Sequence, residues 1–178
     1  MSELSEPLLA AIDDAERLWS DVSPERLTRR PQAKSWSAVE CVEHLNISLR
    51  VFLPRLQDAV AGARQLPPAS GQAMKLTGVA RWLIWWLEPP SRLRLPTSKP
   101  FVPVECDAAR VLPDFVSLNR ALAELADASD GLRIDEVQIR SPFAENVEYS
   151  VYAAFRVISA HNRRHLWQAR RACGAGAR

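Results

Sequence analysis

Three imidazoles are the side chains of this sequence best suited to chemistry. His161 and His165 stand four apart in "HNRRHLWQARR", and His44 lies far upstream in "SWSAVECVEHLN". A pair at i and i+4 projects both rings from one face of a helix, close enough to grip a single ion. Surface helices carry such pairs by chance, so the neighbouring residues decide what the spacing means. Ahead of the pair, Val147, Val151, Ala154 and Ile158 recur at alternating steps of four and three, the mark of a helix seam. The next positions on that seam are His161, His165 and Gln168, so both imidazoles fall on the face that looks into a core. Buried polar groups need partners. His44, on the edge of another apolar stripe, offers a third nitrogen ligand from a different helix, and bundle cores assemble metals from facing helices.

Other residues near these rings have competing roles. Gln168, three residues after His165, is a candidate to hold a ligand ring or a bound water from outside the ligand set, or it is a polar end of the seam. Glu40, four before His44, could orient that ring, yet it also stands in capping-box spacing with Ser37. Cys41 is either a small core residue or a substitute ligand. Arg163, Arg164, Arg170 and Arg171 read as solvated faces that favour the C-terminal end of a helix dipole.

The elements that must position these groups are four long amphipathic stretches. The first spans about 3–19, with Leu4, Leu8, Ala11, Ala15 and Leu18 on one side, and Pro24 opens a turn after it. The second starts at the Ser37 cap and carries Val42, Leu45, Leu49, Phe52, Leu56 and Val60, with a kink expected at Pro54 and a stop near Gly62. The third starts near Asp107, or later because of Pro113, and runs through Val111, Phe115, Leu118, Leu122 and Leu125. The fourth runs from about Asn146 to Cys173. Between the second and third lie the loop "GARQLPPASGQ", a tryptophan-rich patch with Trp82, Trp85 and Trp86, and a proline-punctuated connection from Pro89 to Pro103. The patch reads as a short buried helix closing one end of the core, with a dimer surface or a ligand-pocket wall as the other readings. Its apolar run is far short of the roughly 20 residues that span a bilayer. With no sustained strand alternation, the pattern predicts an all-α fold: an antiparallel four-helix bundle with a long connection after helix two, as one domain over 1–178.

Composition sets the outer bounds. Of 178 residues, 47% are hydrophobic and 25% charged, with a formal charge of +2, which gives no electrostatic case for nucleic acid. Cys41, Cys106 and Cys173 are dispersed and odd in number, as expected in a reducing compartment. The acidic, amphipathic start lacks the pattern of a signal peptide, so the expected location is the cytoplasm, without membrane or nucleic-acid partners.

"SWSAVECVEHLN" and "SAHNRRHLWQARR" resemble the two signature regions of the DinB-like superfamily, the damage-inducible type of four-helix-bundle metalloprotein. The resemblance extends in order and spacing over nearly the whole chain. It implies a divalent metal held by His44, His161 and His165, and imidazole ligands suit zinc or nickel. It also implies thiol chemistry, since some relatives transfer a low-molecular-weight thiol such as bacillithiol or mycothiol to an electrophile, while many have no assigned activity. Relatives are often dimers, which makes a homodimer one expectation. Three neutral imidazoles leave the ion's charge uncompensated, so its open positions favour water, hydroxide or a thiolate from a small-molecule partner. The leading expectation is a metal-dependent thiol transferase or hydrolase. The alternative is a non-catalytic metal- or ligand-binding bundle, or an interaction bundle.

Overall fold

Ser37 opens the longest helix of the protein by a reciprocal cap. Its hydroxyl accepts from the Glu40 backbone N–H at 3.2 Å, and the Ser37 N–H donates to the Glu40 carboxylate at 2.8 Å, which satisfies two backbone donors that a helix start leaves free. The computed structural model describes residues 2–69, 74–90, 97–104, 106–144 and 146–174. Its elements in chain order are α1 (Glu6–Asp21), α2 (Pro24–Thr28), α3 (Ala38–Ala63), α4 (Gly78–Leu87), a 3₁₀ turn (Lys99–Phe101), α5 (Ala108–Asp127), β1 (Gln138–Arg140), β2 (Glu148–Ser150) and α6 (Val151–Ala172). Parts of the loop after α3 and of the proline-rich connection lie outside the described residues.

The fold is the expected all-α bundle, built from α1, α3, α5 and α6. Each of these four helices packs on two others, so that around the bundle the order is α1, α5, α3, α6. The anticipated stripes of α1 and α3 are buried throughout, from Leu4 to Leu18 and from Val42 to Val60. They meet Phe115, Leu122, Phe155 and Ile158 in one core.

Side-chain contacts set the helix directions. The Ser2 N–H at the start of α1 bonds Asp127 at the end of α5 at 2.7 Å, so those two run antiparallel. Glu3 pairs with Arg156 and Asp14 with Arg170, so α1 and α6 run parallel. Asn46 reaches the Val111 carbonyl at 2.9 Å and Arg50 reaches Asp114 at 2.7 Å, so α3 and α5 also run parallel. The antiparallel expectation thus holds for α1 with α5 and for α3 with α6: His44, early in α3, meets His161 of α6, while Arg55, further along α3, reaches the carbonyl of Arg140 in β1, whose partner strand β2 leads into the start of α6. Parallel neighbours explain the long connection. A helix of 26 residues is about 39 Å long, and the chain leaving the end of α3 must travel back along it before α5 can start beside Asn46.

Several local expectations are revised. Pro24 starts a short helix instead of a turn. Pro54 and Pro113 both lie inside helices, α3 and α5, and each gives up one backbone donor. Asp107 does cap α5, accepting from the Ala109 N–H at 3.0 Å, so Pro113 does not delay the start. The fourth long helix begins at Val151, later than expected, because residues 148–150 pair with 138–140 as a small antiparallel ladder that buries Ile139 opposite Tyr149. Val147 therefore precedes the helix and packs on the core from a loop.

The tryptophan-rich helix is only one-sided. In α4, Trp86 and Leu87 pack on Val157 and Ala160 of α6 in a small cluster beside the main core, while Trp82 and Trp85 are 60% and 54% exposed. The expectation of a buried helix closing the end of the core is corrected to a helix strapped along the flank of α6. The face that packs is Ala80, Leu83, Trp86 and Leu87, which leaves Val79, Trp82 and Trp85 on the open side of the helix.

Removing the Ser37 hydroxyl should expose the value of the cap. Ser37→Ala is expected to cost about 1 kcal/mol, which for a chain of this size lowers Tm by roughly 2–4 °C. Thermal melts followed by far-UV circular dichroism would check this, and an unchanged Tm would remove the capping box from the account of α3.

Candidate metal centre

His44 lies in the second turn of α3, His161 at the middle of α6 and His165 one turn further on. Because these helices run antiparallel, the early part of α3 meets the middle and later part of α6, and the three rings converge. Ring centroids are 5.1 Å apart for His44 and His161, 4.4 Å for His44 and His165, and 4.6 Å for His161 and His165. One nitrogen from each ring lies within 4.8 Å of the others. All three residues are buried, at 3%, 8% and 7% exposure in chain order.

Burial sets their protonation. Desolvation lowers the His44 pKa below 6.5, against a smaller opposing pull from the Phe101 carbonyl. Desolvation also pushes His161 and His165 well below 6.5, and the neighbouring histidines and the Arg164 charge push in the same direction. The rings are therefore neutral at neutral pH, the form in which imidazole binds a metal.

Tautomers follow from the hydrogen bonds. A carbonyl only accepts, so the 2.8 Å contact between His44 Nδ1 and the Phe101 oxygen places the proton on Nδ1 and leaves a lone pair on Nε2. That Nε2 lies 3.2 Å from Nε2 of His161. Two imidazole nitrogens on one tetrahedral zinc sit roughly 3.3 Å apart, so this spacing suits a shared ion. Nδ1 of His165 is buried with no hydrogen-bond partner, a cost that a bound ligand or ordered water would remove. A donor set of three neutral nitrogens, with no carboxylate in the cluster among the described residues, fits a divalent ion that prefers imidazole.

The surrounding residues differ in part from the sequence reading. Gln168 lies beside the His165 ring, where its side chain favours the charged form, but it does not bond Nδ1. Glu40 is taken up elsewhere. Burial pushes its carboxyl up, but hydrogen bonds from Arg30 and Ser37 outweigh this and hold it below the usual carboxylate range. Its two oxygens meet the Arg30 Nε at 3.0 and 2.8 Å and the Ser37 N–H, so its contacts are those of a cap and an ion pair. Cys41 is outside the cluster, and burial pushes its thiol up to about 12, so it serves as a small core residue. Arg164 is not solvated as expected. It is only 5% exposed, lies 5.1 Å from the Trp86 ring and donates to the Trp86 carbonyl at 3.3 Å. Arg163 and Arg170 pair with Glu88 and Asp14, and Arg171 covers the Trp167 ring.

Sequence reasoning missed three residues that touch the rings. Half-buried Trp36 lies 5.1 Å from His44 and 6.1 Å from His165, and Phe143 lies 5.2 Å from His161. Phe101 supplies the carbonyl that His44 bonds. Trp36 had a weak signal, an aromatic residue just outside a helix cap. Phe101 and Phe143 had none, because they come from connections whose course only the folded chain defines.

A family model described as the DinB superfamily matches residues 8–169. No curated protein and no solved structure matches the chain. The matched span contains α3 and the part of α6 that carries the histidines.

The lowered imidazole pKa values make the metal-free protein acid-sensitive. As pH drops below 6.5 the unfolded chain takes up protons that the folded rings refuse, so stability falls, by at most about 1.4 kcal/mol per pH unit for each ring. Urea unfolding of chelator-treated protein at pH 7.5 and pH 5.5 should show a large loss at the lower pH. A His161→Gln, His165→Gln variant should lose much less, and equal losses in the two proteins would reject the buried neutral triad.

Proposed function

The chain belongs to the DinB superfamily, and from that premise we propose that it is a metal-dependent protein in which His44, His161 and His165 hold one divalent ion, zinc or nickel, for work on a small molecule. The observation that carries this reading is the convergence of three buried, neutral imidazoles from two helices, with two of their nitrogens 3.2 Å apart. A divalent ion bound there would supply Lewis acidity, lowering the pKa of a thiol or water that reaches its open position. The chain's own residues do the rest. The histidines contribute no negative charge, so they leave the ion's full attraction for an anionic sulfur or oxygen. Trp36 and Phe143 limit water beside the rings and give an apolar wall against which an electrophile can rest. Arg164, buried next to His165, favours the neutral, metal-binding form of that ring.

The reaction this supports best is transfer of a low-molecular-weight thiol to an electrophile, with hydrolysis as the variant in which water takes the place of the thiol. The three dispersed cysteines, free in the structure, fit a reducing cytoplasmic setting. Among the described residues no helix is long and apolar enough to cross a membrane. A second reading, an interaction bundle or homodimer, is favoured by one observation, the exposed pair Trp82 and Trp85 on α4.

Metal content is the decisive measurement. Protein purified without a histidine tag or chelator should carry a single zinc or nickel ion, and His161→Ala with His165→Ala should remove it while circular dichroism remains helical. Wild-type metal content in that variant, or no uptake by either protein after metal is added back, would overturn the site. Turnover is tested separately. Bacillithiol, mycothiol and glutathione offered with generic electrophiles should give activity that a chelator abolishes and added metal restores, and its absence with all three thiols would leave hydrolysis or binding.

A further inference from the structure

We propose that the backbone carbonyl of Phe101 is a positioning group of the metal centre, holding His44 as the Nδ1–H tautomer so that its Nε2 lone pair is fixed toward His161 and His165. The proposal rests on the metal-binding reading for its purpose, but the tautomer itself belongs to the metal-free protein.

The argument starts with the contact. His44 Nδ1 and the Phe101 oxygen are 2.8 Å apart, both residues are buried, and the bond links positions 57 apart in the chain. The other tautomer would turn a nitrogen lone pair toward a carbonyl oxygen inside the protein, leaving two acceptors facing each other without a proton. It would also put a hydrogen on Nε2, the atom that faces His161, where a metal ligand must offer a lone pair. Neutral histidine in water prefers the Nε2–H form, so the protein has to impose the opposite choice. Neither polar side chain that the sequence suggested does this for His44: the Glu40 carboxylate is occupied by Arg30 and Ser37, and Gln168 lies beside His165.

The carbonyl is held from both sides of its residue. The Phe101 N–H donates to the Ser98 carbonyl at 2.9 Å and the Val102 N–H to the Lys99 carbonyl at 3.2 Å, which closes the 3₁₀ turn. The Phe101 ring lies 4.9 Å from that of Phe143, which in turn lies 5.2 Å from His161. One residue therefore clamps two of the three ligands, His44 through its backbone and His161 through an aromatic neighbour. The connection that must run back along the bundle to join parallel helices passes the rings and supplies the partner that a metal-binding histidine needs for its second nitrogen. Ion binding and the seating of this turn are then linked, each strengthening the other.

Long-range ¹H–¹⁵N correlation spectra of the metal-free protein identify the tautomer of each histidine directly. His44 is expected as Nδ1–H. Phe101→Ala frees the turn from its aromatic anchor, and His44 should move to a mixture rich in Nε2–H. Zinc affinity by chelator competition should then fall about 10–100-fold, the usual effect of losing such a partner. Phe101→Leu, which keeps an apolar anchor, should retain the Nδ1–H form and most of the affinity. A wild-type spectrum showing His44 as Nε2–H overturns the proposal, whether or not any variant folds. So does a Phe101→Ala protein with an Nδ1–H His44 and wild-type affinity. Wild-type protein that binds no zinc at all would sink the metal-binding reading instead, while the tautomer spectrum would still decide the role of the Phe101 carbonyl.

Discussion

Nε2 of His44 and Nε2 of His161 face each other at 3.2 Å across the interface of α3 and α6, in rings that are almost wholly buried. Two imidazole nitrogens at that distance need either a proton or an ion between them, because two bare lone pairs would repel. Without an ion, a neutral His161 that carries its proton on Nε2 can donate to the His44 lone pair, while burial disfavours a second proton on either ring. A third imidazole, also neutral and with an unpartnered Nδ1, closes the group. Of these ring nitrogens, Nδ1 of His165 is the buried one that lacks a hydrogen-bond partner.

The helix directions keep those rings in place. His44 can meet His161 and His165 only because α3 and α6 run antiparallel, and the core below them is filled by Phe52, Phe115 and Phe155. A polar bond at the level of the site, from Asn162 to Asn119 at 2.7 Å, ties α6 to α5 and defines one relative height for the two helices. The parallel pairing of α3 with α5 then forces the long connection. In turn, the connection carries both the 3₁₀ turn that touches His44 and the α4 helix that covers the flank of α6 through Trp86 and Leu87.

Charge is distributed unevenly around this centre. Arg163 and Arg170, on α6 next to the histidines and near its end, pair with Glu88 and Asp14, as do most cations on such a surface. Arg164 is buried, its guanidinium 5.1 Å from the Trp86 ring and bonded to the Trp86 carbonyl, and its charge favours the neutral form of both α6 histidines. The three imidazoles themselves are neutral, and no carboxylate joins their cluster among the described residues.

The sequence alone determined the four amphipathic helices, the Ser37–Glu40 cap and the three imidazoles, because each depends on local periodicity or on spacing within one turn. Val42 to Val60 on α3 and Ile158, His161 and His165 on α6 are buried as their spacing requires. Only the tertiary structure decided which helices run parallel, since that choice shows in contacts between distant segments such as Asn46 with Val111. The same holds for Phe101, Phe143 and Trp36, which reach the rings from connections, and for Arg164, whose burial depends on where α4 comes to rest. Periodicity states which face of a helix is buried. What that face meets is set by long-range packing, and the partners of His44 lie on other elements, out of reach of any local pattern.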